Sequence, residues 1–183
     1  MKKIFLIIIC LFTFSFSYSQ EKVNWLKINE VDNIKNIDKR VFIDCYTLWC
    51  GWCKRMDKDT FSNDTIARIM NSYFYSVKFN AEEKEPIFFN GKKYINKNDG
   101  AKRQSPHDLA KQLLDNRMAY PSFSILNPDL SIATIIPGYY LPKDFEPILV
   151  FMGKGYDKEY SWEEFQKIYP TKIRPTIMKE IFK

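Results

Sequence analysis

One stretch of the chain decides most of what the rest can fold into. Residues 40–56 read RVFIDCYTLWCGWCKRM. They open on Val41, Phe42 and Ile43, an apolar run suited to a buried strand. Two cysteines follow, Cys50 and Cys53, at the spacing of a reversible local disulfide. Lys54, Arg55 and Met56 are good helix formers, so the pair falls where a strand hands over to a helix. A helix start offers unpaired N–H groups and about half a positive charge. A thiolate at Cys50 is stabilised there, and Cys53, inside the first turn, lies beneath it.

Read as Trp-Cys-Gly-x-Cys-Lys after a strand, residues 49–54 resemble the active-site segment of the thioredoxin superfamily. Asp44 stands where thioredoxins keep a buried acid in that strand. The resemblance covers about residues 25–152, and within the superfamily the chain is similar to secreted single-domain proteins of the Trp-Cys-Gly-Trp-Cys-Lys type. It implies an α/β, thioredoxin-like fold, a central mixed sheet flanked by helices on both faces. It implies a thiol-disulfide oxidoreductase whose redox group is the Cys50–Cys53 disulfide itself, with no further cofactor and no metal.

Two other uses of the pair stay open. A zinc site wants about four N or S ligands, and beyond the pair only Cys45 and His107 would be at hand after removal of the first residues. A structural disulfide is the second, but closing a two-residue loop adds little, because the entropic gain grows with loop length.

The first 19 residues read as a signal peptide. Lys2 and Lys3 form the charged start, residues 4–16 the apolar middle, and Ser17-Tyr18-Ser19 a small-x-small cleavage site. The apolar stretch is about 13 residues, short of the roughly 20 that span a bilayer. Cys10 follows Ile9, where lipoprotein signals generally carry a small residue. The mature protein is therefore expected outside the cytosol, periplasmic or secreted, without a stable membrane span. Removing Lys2 and Lys3 from the 28 basic residues leaves 26 against 22 acidic, a net +4. That scattered excess gives no nucleic-acid footprint.

Residues 20–39 form an N-terminal extension. The triplet spacing of Ile28, Val31, Ile34 and Ile37 predicts a short amphipathic helix, with Trp25 as a core anchor. Residues 40–152 form the thioredoxin-like domain. A break is expected at 57–61, then a helix capped by Ser62 or Asn63. Residues 73–80 (YFYSVKFN) predict a strand parallel to the first, completing a βαβ unit. Lys78 matches the lysine that thioredoxins hold near the buried acid; alone, it also fits a solvent-facing strand end. Residues 84–118 form an insertion. Asn90-Gly91 predicts a tight hairpin, residues 92–105 a solvated loop, and Ser105-Pro106 a helix start. His107 reads as a surface or capping histidine. Tyr120-Pro121 heads the strand PSFSIL, where the resemblance implies a cis proline facing the disulfide; an ordinary trans proline at a strand start is the alternative. Residues 127–129 turn into a partner strand over 131–136, and 145–152 predict a helix ended by Gly153. In the last part, residues 153–183, Ser161 and Glu164 form a capping box for a final helix stopping before Pro170. The remaining tail carries weak signals.

The resemblance also assigns roles. Cys50 is the nucleophile and Cys53 the resolving thiol. Asp44 is the proton acceptor, or an acid bonded to backbone if structural, and Lys78 its charge partner. Trp49, Gly51, Trp52, Tyr120 and Pro121 would meet the substrate, Gly51 by letting a partner's backbone approach. The partners implied are protein thiols and disulfides and a redox partner protein. One departure is Trp52, where thioredoxins carry proline. The dipeptide between the cysteines tunes the potential; reduction of protein disulfides outside the cytosol is the first reading, with oxidation or isomerisation as the enzymatic alternative. A non-catalytic binding or chaperone module is the reading from a different class.

Overall fold

A computed structural model describes residues 20–97 and 105–183. The expected signal peptide and part of the expected insertion lie outside these residues. The run Val41-Phe42-Ile43 becomes the middle of β2 (Arg40–Tyr46), buried on both faces. On its two sides lie β3 (Phe74–Asn80), parallel and in register Asp44 to Lys78, and β6 (Ser122–Leu126), antiparallel. Strands β1 (Trp25–Lys27) and β7 (Ile132–Pro137) close the edges, giving the order β1-β3-β2-β6-β7. A separate hairpin joins β4 (Ile87–Phe89) to β5 (Lys92–Tyr94) through Asn90 and Gly91, both at positive φ.

Alternation along β2 sorts its side chains between two cores. Phe42 faces a core built with α1 (Gly51–Met56), α2 (Asp64–Tyr73), α4 (Pro142–Gly153), α5 (Trp162–Ile168) and α6 (Arg174–Ile181). Its ring stacks on Phe123 at 5.3 Å and meets Phe61, Phe74 and Phe145 edge-on, the arrangement that ring quadrupoles favour. Val41, Ile43 and Cys45 face the second core, with α3 (Asp108–Leu113), the hairpin and the turn at Ile28–Asn33. The central mixed sheet thus carries helices on both faces.

Several local expectations need correction. The N-terminal helix is a 3₁₀ turn over Ile28–Asn33, preceded by the edge strand β1; of the four triplet positions Ile28 and Val31 are buried, and Ile37 packs on the same core from beyond the turn. No break occurs at 57–61: α1 runs on into a π-helical turn, Asp57–Phe61, that buries Thr60 and Phe61, and the chain leaves the helix at Ser62. Asn63 then caps α2, accepting from the N–H groups of Thr65 and Ile66. The loop over 92–105 begins as β5, and Asn96 is buried with Ser105. Ser105 is therefore not the cap of α3. His107 is, its Nδ1 accepting from Leu109 N at 3.1 Å, and it is fully buried. The capping-box helix α5 does end at Ile168, before Pro170, but it is not the last helix. A π-helical turn over Tyr169–Ile173 leads into α6, whose Ile177 and Ile181, with Ile173, are buried in the first core.

Candidate redox site

The site sits at the C-terminal end of β2. Cys50 is the N-cap residue of α1, and its Sγ accepts from the backbone N–H of Cys53 at 3.0 Å. Cys50 and Cys53 form a disulfide, and both are buried in that state. What distinguishes them is position: Cys50 stands where the backbone is extended, Cys53 within the first helical turn. A donor aimed at Sγ favours an anion over a thiol, so this backbone N–H is placed to favour a thiolate at Cys50 once the disulfide is reduced.

Exposed apolar side chains surround the pair. Leu48 projects outward, Trp49 is 44% exposed and Trp52 54%. Trp49 is held by a hydrogen bond from its Nε1 to Glu82 at 2.9 Å and by edge contact with Tyr120. Trp52 rests against Tyr139 at 5.4 Å, with the Arg55 guanidinium over both rings and Asp59 bonded to Arg55 and Tyr139. These supports were not anticipated from the sequence, where Arg55, Asp59, Glu82 and Tyr139 carry no motif. A Cβ at Gly51 would meet no described atom within 4 Å, so this face of the helix start is open.

The antiparallel register pairs Cys45 with Ser122, which brings Tyr120 and Pro121 to the same end of the sheet as the disulfide. The Tyr120–Pro121 peptide is cis, and the Pro121 carbonyl accepts from Gly138 N at 2.9 Å. The Tyr120–Pro121 peptide thus lies at the end of the sheet from which the chain leads to the cysteine pair, with the Tyr120 ring against Trp49.

Asp44 lies on the sheet face that α1 covers, since it shares that face with Phe42 and pairs with Phe123. It is 2% exposed, and burial raises its carboxyl pKa to about 6, against the opposing pull of Lys78. Lys78 Nζ donates to Asp44 Oδ2 at 2.8 Å; Oδ1 has no partner among the described residues. Burial pulls the Lys78 pKa down, but Asp44 and Asp57 together leave it raised. The ammonium packs over the rings of Trp25, Tyr46 and Phe61 and also meets Asp57. The solvent-facing alternative for Lys78 is thereby set aside. Asp57 was missed, having been placed in a break of the helix.

Cys45 points into the opposite core, fully buried, its thiol pushed well up by burial and by Asp44. His107 sits in that core too, its pKa lowered by burial. Among the described residues, no group of three or more His, Cys, Asp or Glu side chains gathers as metal ligands would.

Sheet order, cis proline and the cysteine pair at a strand-to-helix junction define a thioredoxin-like protein. The chain belongs to the thioredoxin-like DsbH family, described as a protein of unknown function, DUF255, which matches residues 13–144. A solution structure from Bacteroides thetaiotaomicron, described as a candidate disulphide-isomerase, shares 20% identity and a TM-score of 0.50 over 72% of this chain and 94% of its own. A DsbH oxidoreductase shares 12% identity over 73% of this chain and 85% of its own, with a TM-score of 0.48. Human spermatogenesis-associated protein 20 is 30% identical over 56 residues, 31% of this chain. That match spans 7% of the human protein, and the curated relatives are all far longer than the stretch they share. Among the described residues no helix is long and apolar enough to cross a membrane.

Proposed function

We propose that this protein is a thiol-disulfide oxidoreductase that reduces protein disulfides outside the cytosol. The observation that carries the reading is the Cys50–Cys53 disulfide at the start of α1, above a sheet face holding the buried Asp44. In the dithiol form, the Cys50 thiolate attacks one sulfur of a substrate disulfide and expels the other as a thiolate. Cys53 then gives its proton to Asp44 and attacks Cys50 Sγ, releasing the second substrate thiol. Two electrons pass from the dithiol to the substrate, and the Cys50–Cys53 disulfide remains. A dithiol donor protein must reduce it again. The redox group is the cysteine pair alone.

Asp44 suits proton transfer because a base works best with a pKa near the working pH. Trp49 and Trp52 would flank an unfolded segment of substrate, and the backbone from Tyr120 to Pro121 would pair with it beside the disulfide. Gly51, with open space before it, would admit the partner's backbone. Lys78 would balance the charge of Asp44. Export, to the periplasm or beyond, follows from residues 1–19 read as a signal peptide.

Dithiothreitol-driven reduction of insulin tests the reading. The parent should turn over, Cys50→Ser should be inactive, and Cys53→Ser should accumulate mixed disulfides. The exposed Leu48, Trp49 and Trp52 favour one second reading, a binding or chaperone module. Such a module would suppress aggregation of a reduced client yet show no insulin turnover in the parent. Oxidation or isomerisation is the enzymatic alternative, separated by the potential of the pair.

A further inference from the structure

Lys78 is shared between two carboxylates of unequal burial. Exposure rises from 2% at Asp44 through 21% at Lys78 to 48% at Asp57, so the ion-paired chain runs from the covered sheet face toward solvent. Asp57 begins the π-helical turn that continues α1, four residues after Cys53. The groups facing Lys78 are Asp44 and Tyr46 from β2, Trp25 from β1, and Asp57 and Phe61 from the helical segment. Glu21 and Lys22 border the cleft on one side of it, and Lys27, Asp32, Glu83 and Glu85 the groove on the other. The charges beside Asp57 on its own helix are Lys54, Arg55 and Lys58, of which Arg55 is engaged by Asp59.

We propose that Asp57 is a positioning residue of the redox site, holding one side of Lys78 so that Asp44 is never fully neutralised and stays able to take and return the proton of Cys53. The inference rests on the reading of Asp44 as the proton acceptor. A buried carboxylate paired alone with an ammonium becomes a weak base, because the pair favours the ionised acid. Drawing the ammonium partly toward a second carboxylate restores basicity to the first. The negative charge of Asp57 acts on Asp44 in the same direction. When Asp44 takes the proton, Lys78 still has a counter-ion in Asp57, so no unpaired cation is left against three aromatic rings.

The test is a carbon-13 titration of the Asp44 side-chain carboxyl in the oxidised full-length protein. Asp57→Asn should lower the Asp44 midpoint by about half a pH unit or more, and Asp57→Glu should leave it near the parent value. Asp57 is half-exposed, so the exchange for asparagine is expected to leave the fold intact. In a Lys78→Met background the same Asp57→Asn shift should shrink to less than half; a full shift there means plain repulsion and overturns the sharing of Lys78. The pH profile of the attack by Cys53 on a trapped mixed disulfide should show its acid limb displaced with the midpoint. An unmoved midpoint beside an Asp44-dependent profile overturns this inference alone. A midpoint that moves while the profile stays fixed contradicts the role of Asp44 in exchange, and the inference falls with it.

Discussion

Asp44 is the residue at which stability and chemistry pull apart. Its carboxyl pKa stands at about 6 in the fold against 3.8 for the ordinary side chain. Between those values the folded protein holds a proton that the unfolded chain has lost, so stability falls as pH rises through the window. The fall amounts to about 3 kcal/mol, from about 1.36 kcal/mol per unit. Asp44→Asn removes it, and urea melts at pH 4 and pH 8 should show the variant gaining on the parent at the higher pH. Resolution of mixed disulfides should nevertheless slow about 10-fold or more, as expected for loss of a positioned base. A variant destabilised at both pH values with unchanged kinetics would mean that Asp44 is scaffold. The cysteines allow a second residue-level prediction. In the reduced protein a limiting alkylating reagent should modify Cys50 first, where the Cys53 N–H supports the thiolate. Cys45, buried with its thiol pushed up, should react only on unfolding. Preferential labelling of Cys53 would overturn the assignment of nucleophile.

At the scale of elements, the C-terminal helix α6 is where sequence and structure part most clearly. Ile173, Ile177 and Ile181 recur every four residues and are all buried in the first core. Ile177→Ala should therefore cost about 2–4 kcal/mol in a urea melt, while insulin turnover of the folded fraction stays within about twofold, since α6 packs chiefly on α2 and on the π-helical turn before it. The spacing was present in the sequence, but Pro170 read as the end of the last helix and the tail beyond it as weak, whereas Pro170 and Pro175 both stand in first turns, where the missing N–H is harmless. Gly153 was legible as a helix end for the wrong reason. A Cβ there would lie 2.7 Å from Tyr73 Cβ and 2.8 Å from the Phe74 ring, so close approach fixes it. Of the two glycines at this helix end, the one at positive φ is Gly155. Gly153→Ala should accordingly destabilise, while Gly51→Ala, facing open space, should keep the parent's melting midpoint in a thermal scan. What was legible was dominated by near neighbours: the strand–CxxC–helix junction, the Asn90-Gly91 turn, the Ser161–Glu164 box. What was not legible depended on distant partners. Asp57 matters only because Lys78 reaches it, and Trp52 is propped by Tyr139, which follows the edge strand β7.

The whole molecule combines one polar chain of groups, Asp44, Lys78 and Asp57, on the sheet face that α1 covers with a cysteine pair at the start of α1 flanked by exposed Trp49 and Trp52. Two cores clamp β2 from either face, so the strand that carries Asp44 and leads to Cys50 has little freedom to shift. On this account the helix start would stabilise a Cys50 thiolate in the reduced form, and Trp52, where the thioredoxins it resembles carry proline, would tune how readily the pair is oxidised. The most direct test of the central claim is a redox titration of the Cys50–Cys53 pair against thiol–disulfide buffers. We predict a reversible two-electron couple at the reducing end of the CxxC range, about −270 to −200 mV. A pair that stays oxidised below about −300 mV would be a structural crosslink, and a value near about −120 mV would make the protein an oxidant; either result would contradict the account.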